Sequence, residues 1–411
     1  MSSTEPIVGL DIGTTKVCCV IAEMDQFNEP KILGVGISPS HGLRKGVVIN
    51  LEQTVQSIQK AVKEAELMAG VEVNVAYTGI AGDHVKSFNS KGVVAVSNSD
   101  NEISEQDVSR VMEAARAIAL PLEREIIHVL PQEFVVDDQK GIKEPLGISG
   151  VRLEVEAHII TSAITSAQNL FKSVERSGIQ IKELVLEPLA SSFAILGEDE
   201  KELGVGLIDL GGGTTDITLF YDGSIRHSAI IGLGGSNVTN DIAFGLRTPI
   251  EQAEEIKIKQ GCCINNQAVN GDLIDVPGIG GRPPRRVSKS VLVSIIQPRM
   301  EEVFSLALQE IKKSEHLELL SSGIVLTGGG SMIEGTEELA EQVFGLPVRI
   351  GYPKGVGGLE DAVNNPKFST AVGLVLYGIR KELGDKNFDY AKVGKNGVSI
   401  LSKIKRWFKE F

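Results

Sequence analysis

The sequence lacks any apolar run of about 18 residues, so it predicts no helix that spans a bilayer. Its first ten residues lack the charged and apolar regions of a secretory signal. The 4 cysteines fall as two adjacent pairs, Cys18–Cys19 and Cys262–Cys263, and no CxxC or other metal-ligand spacing occurs. These absences predict a reduced, cytosolic protein without a built-in metal site, in which Cys18 and Cys19 are buried in a strand.

Positive charge is also scarce, since 41 lysines and arginines face 54 acidic residues and leave a net charge of −13. No basic stripe crosses the body of the chain, which argues against a nucleic-acid partner. The 6 histidines are scattered without a metal-binding pattern. With 411 residues, 42% hydrophobic content and many valines, leucines and glycines, the chain predicts an α/β protein of two or more domains.

Two segments repeat one pattern: an apolar run with an aspartate, a turn of glycines and threonines, and a second apolar run. The first segment is Ile7 to Ala22 with Asp11, and the second is Val205 to Gly223 with Asp209. Each predicts a β-hairpin. Glycines let backbone N–H groups converge on an anion, and threonine hydroxyls add donors. Two such hairpins facing each other would hold a polyphosphate, with Asp11 and Asp209 holding Mg²⁺ through water.

A third glycine turn follows between Ser322 and Gly345. The pattern predicts a strand over Ile324 to Thr327, a turn of three glycines, and then a helix of about a dozen residues. A glycine turn at the start of a helix allows a base and ribose to lie against the backbone.

In this order the three turns resemble the phosphate-1, phosphate-2 and adenosine motifs of the actin, chaperone and sugar-kinase ATPase superfamily. The segments beginning at Glu187 and Ser369 resemble its two connecting helices, and Glu251 to Gly261 resembles the helix that packs on adenine. The resemblance implies an α/β fold of two lobes closing over ATP and Mg²⁺. The residues it assigns to the nucleotide are Gly13, Thr14, Thr15, Lys16, Gly211, Gly212, Gly213, Thr214, Thr215, Gly235, Glu254, Lys257, Gly328, Gly329 and Gly330.

Within that set, Glu254 and Lys257 would contact the base or ribose, although charges three residues apart on a helix also form ordinary solvated pairs. Asp11 and Asp209 would hold the metal ion. Glu187 stands where chaperone relatives keep an acid that orients the attacking water, so it is a catalytic candidate together with the two aspartates. Because such a site assists only modestly without a cation at the transition state, the prediction is ATP binding with at most slow hydrolysis.

Residues 85–161 leave the nucleotide fold and predict an inserted β-α-β-β subdomain whose helix is capped at Ser104. Its second half, from His128 to Thr161, resembles subdomain 1C of the FtsA family of bacterial cell-division proteins, which are actin homologues. Gly280 to Phe304 resembles the smaller second-lobe subdomain of that family. A passive decoration of the lobe is the alternative for the insertion. Arg282, Arg285 and Arg286 belong either to a solvated loop or to a partner contact.

The family resemblance sets the domain boundaries. The first lobe comprises residues 1–84, 162–190 and 369–383, and the second comprises 191–246 and 324–368. The inserted subdomain 1C is 85–161, the smaller second-lobe subdomain is 247–323, a flexible linker is 384–398, and an amphipathic helix is 399–411.

The last segment, SILSKIKRWFKEF, is both apolar and basic. On a helical wheel its large apolar side chains form one stripe of roughly 120° and its polar side chains fill the opposite arc. This pattern predicts an interfacial membrane helix, with docking on its own protein as the alternative. The predicted membrane contacts are Ile400, Leu401, Ile404, Trp407, Phe408 and Phe411 on the apolar face, and Lys403, Lys405, Arg406 and Lys409 on the basic face.

The family resemblance implies an ATP-binding protein that polymerises on the cytoplasmic face of the bacterial membrane at the division site. It would tether FtsZ, the tubulin-like ring protein, contact later division proteins, and contact other copies of itself and an anionic membrane surface. A scaffold of a pilus or secretion machine and a sugar kinase of the same superfamily are the alternatives.

Overall fold

The computed structural model of the chain describes residues 5–264 and 272–383. The predicted linker (384–398) and the predicted membrane helix (399–411) lie outside the described residues, as do all the predicted membrane contacts. No helix among the residues that are described has the length and apolar character needed to cross a bilayer.

The strands, in chain order, are β1 (Ile7–Ile12), β2 (Lys16–Met24), β3 (Pro30–Pro39), β4 (Leu43–Arg44), β5 (Val47–Val48), β6 (Val75–Ile80), β7 (Val85–Ala95), β8 (Arg124–Val136), β9 (Gln139–Ile142), β10 (Arg152–Ala163), β11 (Gln180–Leu186), β12 (Val205–Leu210), β13 (Thr215–Tyr221), β14 (Ser224–Ile231), β15 (Leu273–Val276), β16 (Arg285–Ser288), β17 (Ile324–Thr327), β18 (Val348–Ile350) and β19 (Gly357–Gly358). The helices are α1 (Leu51–Ala69), α2 (Glu105–Arg116), α3 (Ile164–Arg176), α4 (Glu187–Ile195), α5 (Glu198–Leu203), α6 (Gly235–Leu246), α7 (Ile250–Gln260), α8 (Lys289–Lys313), α9 (Thr336–Phe344), α10 (Glu360–Val363) and α11 (Ser369–Glu382).

The first lobe is a mixed sheet with the strand order β11-β6-β1-β2-β3-β19. Its predicted hairpin is present, because β1 pairs antiparallel with β2 from Ile7↔Ala22 to Ile12↔Val17. Cys18 and Cys19 are fully buried in β2, as the sequence predicts. The short strand β19 pairs with β3, although the predicted boundaries place residues 357–358 in the second lobe.

The inserted subdomain is an antiparallel sheet with the order β7-β10-β8-β9 and helix α2 against it. Ser104 caps α2 as predicted, and it forms a reciprocal capping box with Asp107. Strand β9 adds one strand to the predicted β-α-β-β pattern. It forms because Asp137, with φ of 54°, turns the chain back so that Ile142 pairs with Phe134 of β8.

The second lobe is a sheet with the order β14-β13-β12-β17-β18. Strand β17 has the predicted bounds, but the helix after it, α9, begins only at Thr336 and has 9 residues instead of about a dozen. A short 3₁₀ turn at Gly329–Met332 takes up the difference. Helices α7 and α8 and the hairpin β15–β16 form the smaller part of this lobe.

Helices α4 and α11 cross between the two sheets, where the sequence predicts the connecting helices. Their backbones touch, since a Cβ atom added to Gly373 of α11 would lie 2.0 Å from the carbonyl oxygen of Ala190 in α4. Residues 369–379 of α11 are buried without interruption. One apolar cluster includes residues of both helices, the first sheet, and Val205 and Leu207 of β12, so the two lobes share a core at this crossing.

Candidate functional site

The turns of the two predicted hairpins meet face to face. A Cβ atom added to Gly212 would lie 2.4 Å from Thr15 Oγ1, and one added to Gly213 would lie 2.6 Å from Thr14 Oγ1. Both distances are shorter than real side chains permit, so only glycine allows this approach. The structure therefore brings together the two segments that the sequence singles out as phosphate turns, although about two hundred residues separate them.

The first turn is closed by its own backbone and by a neighbouring hairpin. The Gly13 amide donates to the Lys16 carbonyl oxygen at 2.9 Å, which forms the tight end of β1–β2. The Gly46 amide, in the hairpin between β4 and β5, donates to Thr14 Oγ1 at 3.0 Å. Thr14 is thus positioned by a hairpin that the sequence analysis did not connect with the site.

Lys16 and Asp11 form an ion pair at this turn, with 2.6 Å between Nζ and Oδ2. Burial lowers the pKa of the Lys16 ammonium, but the charges of Asp11 and Glu187 and the hydrogen bond to Asp11 outweigh it, so that the pKa is raised overall. Lys16 consequently stays charged, with its positive end held among carboxyl groups.

Asp209 is the second-last residue of β12, and both connecting helices hydrogen-bond to it. Ser191 Oγ of α4 and Thr370 Oγ1 of α11 each donate to Asp209 Oδ2 at 3.4 Å, and the two hydroxyl oxygens lie 3.0 Å apart. Burial and the nearby charge of Asp11 raise the pKa of Asp209 to about 6, against the opposing effect of Lys16 and these hydrogen bonds. The candidate metal-binding aspartate therefore lies where α4 and α11 cross.

Two further acids complete a carboxyl cluster with Asp11 and Asp209. Asp216 lies directly opposite Asp209 in the β12–β13 ladder, and burial together with Asp209 raises its pKa to about 8. Its Oδ2 accepts from Thr214 Oγ1 at 3.2 Å, but its buried Oδ1 has no hydrogen-bond partner within the described structure. The pKa of Glu187 is raised well above its usual range, first by burial and then by the negative charges of Asp11, Asp216 and Asp209.

Asp216, Ser191 and Thr370 are not among the site residues predicted from the sequence. Asp216 is the residue that closes the second turn motif, so its position after the two threonines was an available signal. Ser191 and Thr370 carry no such sequence signal, because they are small polar residues within two apolar helices and only the helix crossing brings them to Asp209.

Helix α6 begins against the second turn. The amides of Gly235 and Ser236 donate to the carbonyl oxygens of Gly211 and Gly212 at 2.9 and 2.8 Å. Lys257 of α7 donates to the Gly235 carbonyl oxygen at 3.1 Å and pairs with Glu254 at 2.8 Å. The predicted adenine-side residues are thus joined to the predicted phosphate turn through the first residue of α6.

The third glycine turn packs on the end of β12. A Cβ atom added to Gly328, whose φ is 80°, would lie 2.3 Å from Asp209 Oδ1, and one on Gly330 would lie 3.0 Å from Leu210 Cβ. A Cβ atom on Gly329 would meet nothing within 4 Å. Of the three glycines, Gly329 therefore faces open space beside the cluster while the other two hold the turn against the strand.

The donor set fits a magnesium ion held through water. Carboxylate oxygens are the ligands that Mg²⁺ prefers, and it usually keeps several of its waters. Among the described residues no three His, Cys, Asp or Glu side chains are close enough to bind a metal ion directly. The raised pKa values of Asp209 and Asp216 and the orphaned Oδ1 of Asp216 mark a place where a cation would relieve carboxylate repulsion.

The arginines of the smaller part of the second lobe lie away from this site. Arg285 donates to the Leu246 carbonyl oxygen at 2.8 Å, and the exposed Arg286 lies 3.4 Å from Asp275 in the β15–β16 hairpin. Arg282 is exposed at the surface.

The architecture, with paired hairpin turns facing each other below two crossing helices, is that of the actin-like ATPase fold. Two solved structures support this class. A chain of the PilM-PilN type IV pilus biogenesis complex superposes with a TM-score of 0.66 at 18% identity, covering 91% of this chain and 98% of that one. MreB5 of Spiroplasma citri bound to ADP superposes with a TM-score of 0.58 at 15% identity, covering 94% and 99%. At these identities the likeness describes the fold.

Sequence comparison identifies the family. The profile of the family described as "Cell division protein FtsA" matches residues 206–373, and that of the "SHS2 domain inserted in FTSA" matches residues 82–161. The cell division protein FtsA of Pseudomonas aeruginosa is 46% identical over 411 residues, covering 99% of this chain and 98% of its own. That of Escherichia coli K12 is 39% identical over 413 residues, covering 98% of each. The chain belongs to the FtsA family of cell division proteins.

Proposed function

We propose that this protein binds ATP with Mg²⁺ between the two facing turns, polymerises, and tethers the FtsZ ring to the cytoplasmic face of the cell membrane at the division site. Subdomain 1C contacts later division proteins and neighbouring copies of the chain, and the smaller second-lobe subdomain contacts FtsZ. Hydrolysis of ATP is slow, with Glu187 orienting the attacking water.

The observation that carries the ATP part of this proposal is the meeting of the two glycine turns over a carboxyl cluster. Backbone amides and hydroxyls of Thr14, Thr15 and Thr214 are donors suited to phosphate oxygens. Lys16 neutralises phosphate charge, and Asp11 and Asp209 hold Mg²⁺ through its waters. Glu254 and Lys257 contact the base or ribose from α7, and Gly328 to Gly330 support it on the other side.

Residues 399–411 carry the membrane part of the proposal. Their sequence combines a stripe of isoleucine, leucine, tryptophan and phenylalanine with four cations, which suits an anionic membrane surface. One short helix of this kind binds weakly, but filament assembly multiplies the attachments. ATP-driven assembly therefore strengthens membrane binding.

Flotation with anionic liposomes tests the whole proposal. Full-length protein is compared with a chain ending at Val398, each with and without Mg·ATP, while calorimetry measures ATP binding to both. We expect both chains to bind ATP and only the full-length chain to float, more strongly with ATP. Trp407→Glu should abolish flotation, whereas Ser402→Ala, on the polar arc, should not.

Each part of the proposal can fail separately. Equal flotation of the two chains, or of neither, would exclude the membrane anchor and leave ATP binding intact. Flotation that does not respond to ATP would exclude the link between assembly and attachment. Liposomes coated with the full-length protein should also recruit FtsZ filaments, and liposomes incubated with the truncated chain should not.

A further inference from the structure

The inserted subdomain contacts both lobes. It leaves the first lobe after β6 and returns to it through α3, and Arg124 ties its two ends together by donating to the carbonyl oxygens of His84 and Thr161 at 3.1 and 2.9 Å. Its far contacts are with the second lobe. Most of them are at β14, which is the edge strand of that sheet, and Lys143 also pairs with Glu202 of α5 at 2.6 Å.

Side chains of the subdomain hydrogen-bond to the outer edge of β14. Ser87 Oγ donates to the Ser228 carbonyl oxygen at 2.8 Å, and Gln132 Nε2 donates to the Ile225 carbonyl oxygen at 2.7 Å. Asn89 Nδ2 reaches the Arg226 carbonyl oxygen at 3.4 Å. We call the set of Ser87, Asn89, Gln132 and His158 the clasp.

His158 joins the clasp through its imidazole ring. Nδ1 lies 2.7 Å from Asn89 Oδ1 and Nε2 lies 2.9 Å from Ser228 Oγ. Since an amide oxygen only accepts, Nδ1 carries the proton and Nε2 accepts from the serine hydroxyl. Burial lowers the pKa of His158 to about 3, so the ring stays neutral and bridges the two lobes as a donor on one side and an acceptor on the other.

These contacts between the subdomain and β14 suit a reversible joint. The clasp contacts are hydrogen bonds from polar side chains, and water replaces each partner when the surfaces separate, so that each costs little free energy to break. Polar contacts of this kind are typical of interfaces that permit domain motion.

Strand β14 connects the clasp directly to the second turn of the nucleotide site. Its last residue, Ile231, pairs with Thr215 at the start of β13, and Thr215 Oγ1 donates to the Leu233 carbonyl oxygen at 2.9 Å. Gly235, two residues further, donates to Gly211 of the turn. A movement of the second turn relative to the first lobe therefore moves the strand that the clasp holds.

We propose that the inserted subdomain is a latch across the two lobes, clasped to β14 while the lobes are closed on ATP and released from it when they open. This inference rests on the proposed ATP site. By the reciprocity of coupled equilibria, a clasp that stabilises the closed lobes also tightens ATP binding.

Pulsed electron–electron double resonance measures the distance between spin labels on the subdomain and on the second lobe, and so tests the latch. The four native cysteines are all buried, so spin labels attach selectively to cysteines introduced at the exposed positions Asp100, in the subdomain, and Lys312, in α8. The double variant Asn89→Ala/Gln132→Ala removes clasp contacts. Its matched control is Lys91→Ala/Glu156→Ala, which removes a pair of an exposed lysine and a half-buried glutamate, 3.7 Å apart on β7 and β10 of the same sheet.

We expect one narrow distance distribution for the wild type with Mg·ATP and a broader one without nucleotide. The clasp variant should be broad in both conditions and should bind ATP at least about fivefold more weakly, whereas the control should match the wild type. Circular dichroism confirms that the variants fold, and Gln132→Glu, which places a carboxylate against the β14 carbonyl oxygens, should reproduce the broadening.

Two results would overturn the latch. One is a clasp variant with the same distributions as the wild type. The other is a wild type that binds ATP without any change in its distribution, since the clasp would then be a fixed joint. If the wild type does not bind ATP, the proposed function fails instead, and a comparison of unliganded wild type and variant still decides whether the clasp holds the subdomain.

Discussion

Thr15 lies so close to Gly212 that a Cβ atom on the glycine would be 2.4 Å from the threonine Oγ1 and 2.5 Å from Cγ2. The contact joins the two lobes at their turns, so a side chain at Gly212 must push the turns apart. We expect Gly212→Ala to weaken ATP binding at least about tenfold, a loss of about 1.4 kcal/mol. Calorimetric titration with Mg·ATP measures this.

The control for that substitution is Gly197→Ala, because a Cβ atom at Gly197 would meet its nearest neighbour at an ordinary 3.6 Å. It should bind ATP as the wild type does. Equal affinity of Gly212→Ala and the wild type would show that the turns do not need to approach this closely.

Removal of Lys16 should leave Asp11 as an uncompensated charge. The Asp11 side chain is 8% exposed and pairs with Lys16 at 2.6 Å, and breaking a buried pair by deleting one partner typically costs about 3 kcal/mol or more. We expect Lys16→Met to lower the free energy of unfolding by about that amount, as measured by urea denaturation.

The double variant Asp11→Asn/Lys16→Met should regain most of the lost stability, since no buried charge remains unpaired. It should not regain ATP binding. A single variant as stable as the wild type would mean that Asp11 is adequately solvated in the folded chain.

Above about pH 6.5, where the histidines of the unfolded chain have released their protons, the stability of the protein without nucleotide should fall as the pH rises. Asp216 has a pKa of about 8 in the fold and about 3.9 when unfolded. Between these values the folded state holds a proton that the unfolded state has released, so each pH unit removes up to about 1.4 kcal/mol of stability until the effect saturates above pH 8. Asp209, with its pKa of about 6, contributes in the same direction below pH 6, where the buried His128 and His158, whose pKa values are lowered to about 4 and about 3, contribute in the opposite direction.

Asp216→Asn should remove the Asp216 contribution and flatten the decline between pH 6 and 8. Urea denaturation in EDTA at several pH values measures the free energy of unfolding. The exposed Asp100→Asn should retain the wild-type slope. A slope in Asp216→Asn as steep as in the wild type would show that Asp216 is not the group that titrates.

Glu187→Gln should separate binding from hydrolysis. Glutamine keeps the size of a side chain that packs against Gly79 but cannot become a carboxylate, and the pKa of Glu187 is already raised well above its usual range by burial and by Asp11, Asp216 and Asp209. We expect ATP affinity to be unchanged or higher and turnover to fall at least about tenfold, since water is no longer oriented by a carboxylate. Phosphate release and calorimetry on the same preparations decide this, and an unchanged turnover rate would exclude Glu187 from the reaction.

Local sequence patterns predict much of the fold. The two aspartate–glycine hairpins, the strand Ile324–Thr327 and the cap at Ser104 follow from residues close together in the chain. The helices beginning at Glu187 and Ser369 follow from the resemblance to the ATPase superfamily, and the structure contains each of these elements. The meeting of the two turns follows from their repeated pattern, because one anion can be held from both sides only if they face each other.

Contacts set by the helix crossing and by distant strands were not visible in the sequence. Ser191 and Thr370 reach Asp209 only because α4 and α11 cross there. Residues 357–358 pair with β3 of the first lobe, although the predicted boundaries place them in the second lobe. Strand β9 has only 4 residues and too short an apolar pattern to be distinguished from a loop.

The backbone contact between Gly373 and Ala190 limits how the molecule can change shape. Two helices in contact through side chains can slide along each other by exchanging rotamers, whereas a carbonyl oxygen seated against a glycine has no side chain to repack. The distance between α4 and α11 is therefore fixed where they cross, and a rotation of one lobe relative to the other leaves that distance unchanged. Atomic displacement in a rotation grows with distance from the fixed point, so the outer ends of the lobes move furthest for a given shift of the two turns.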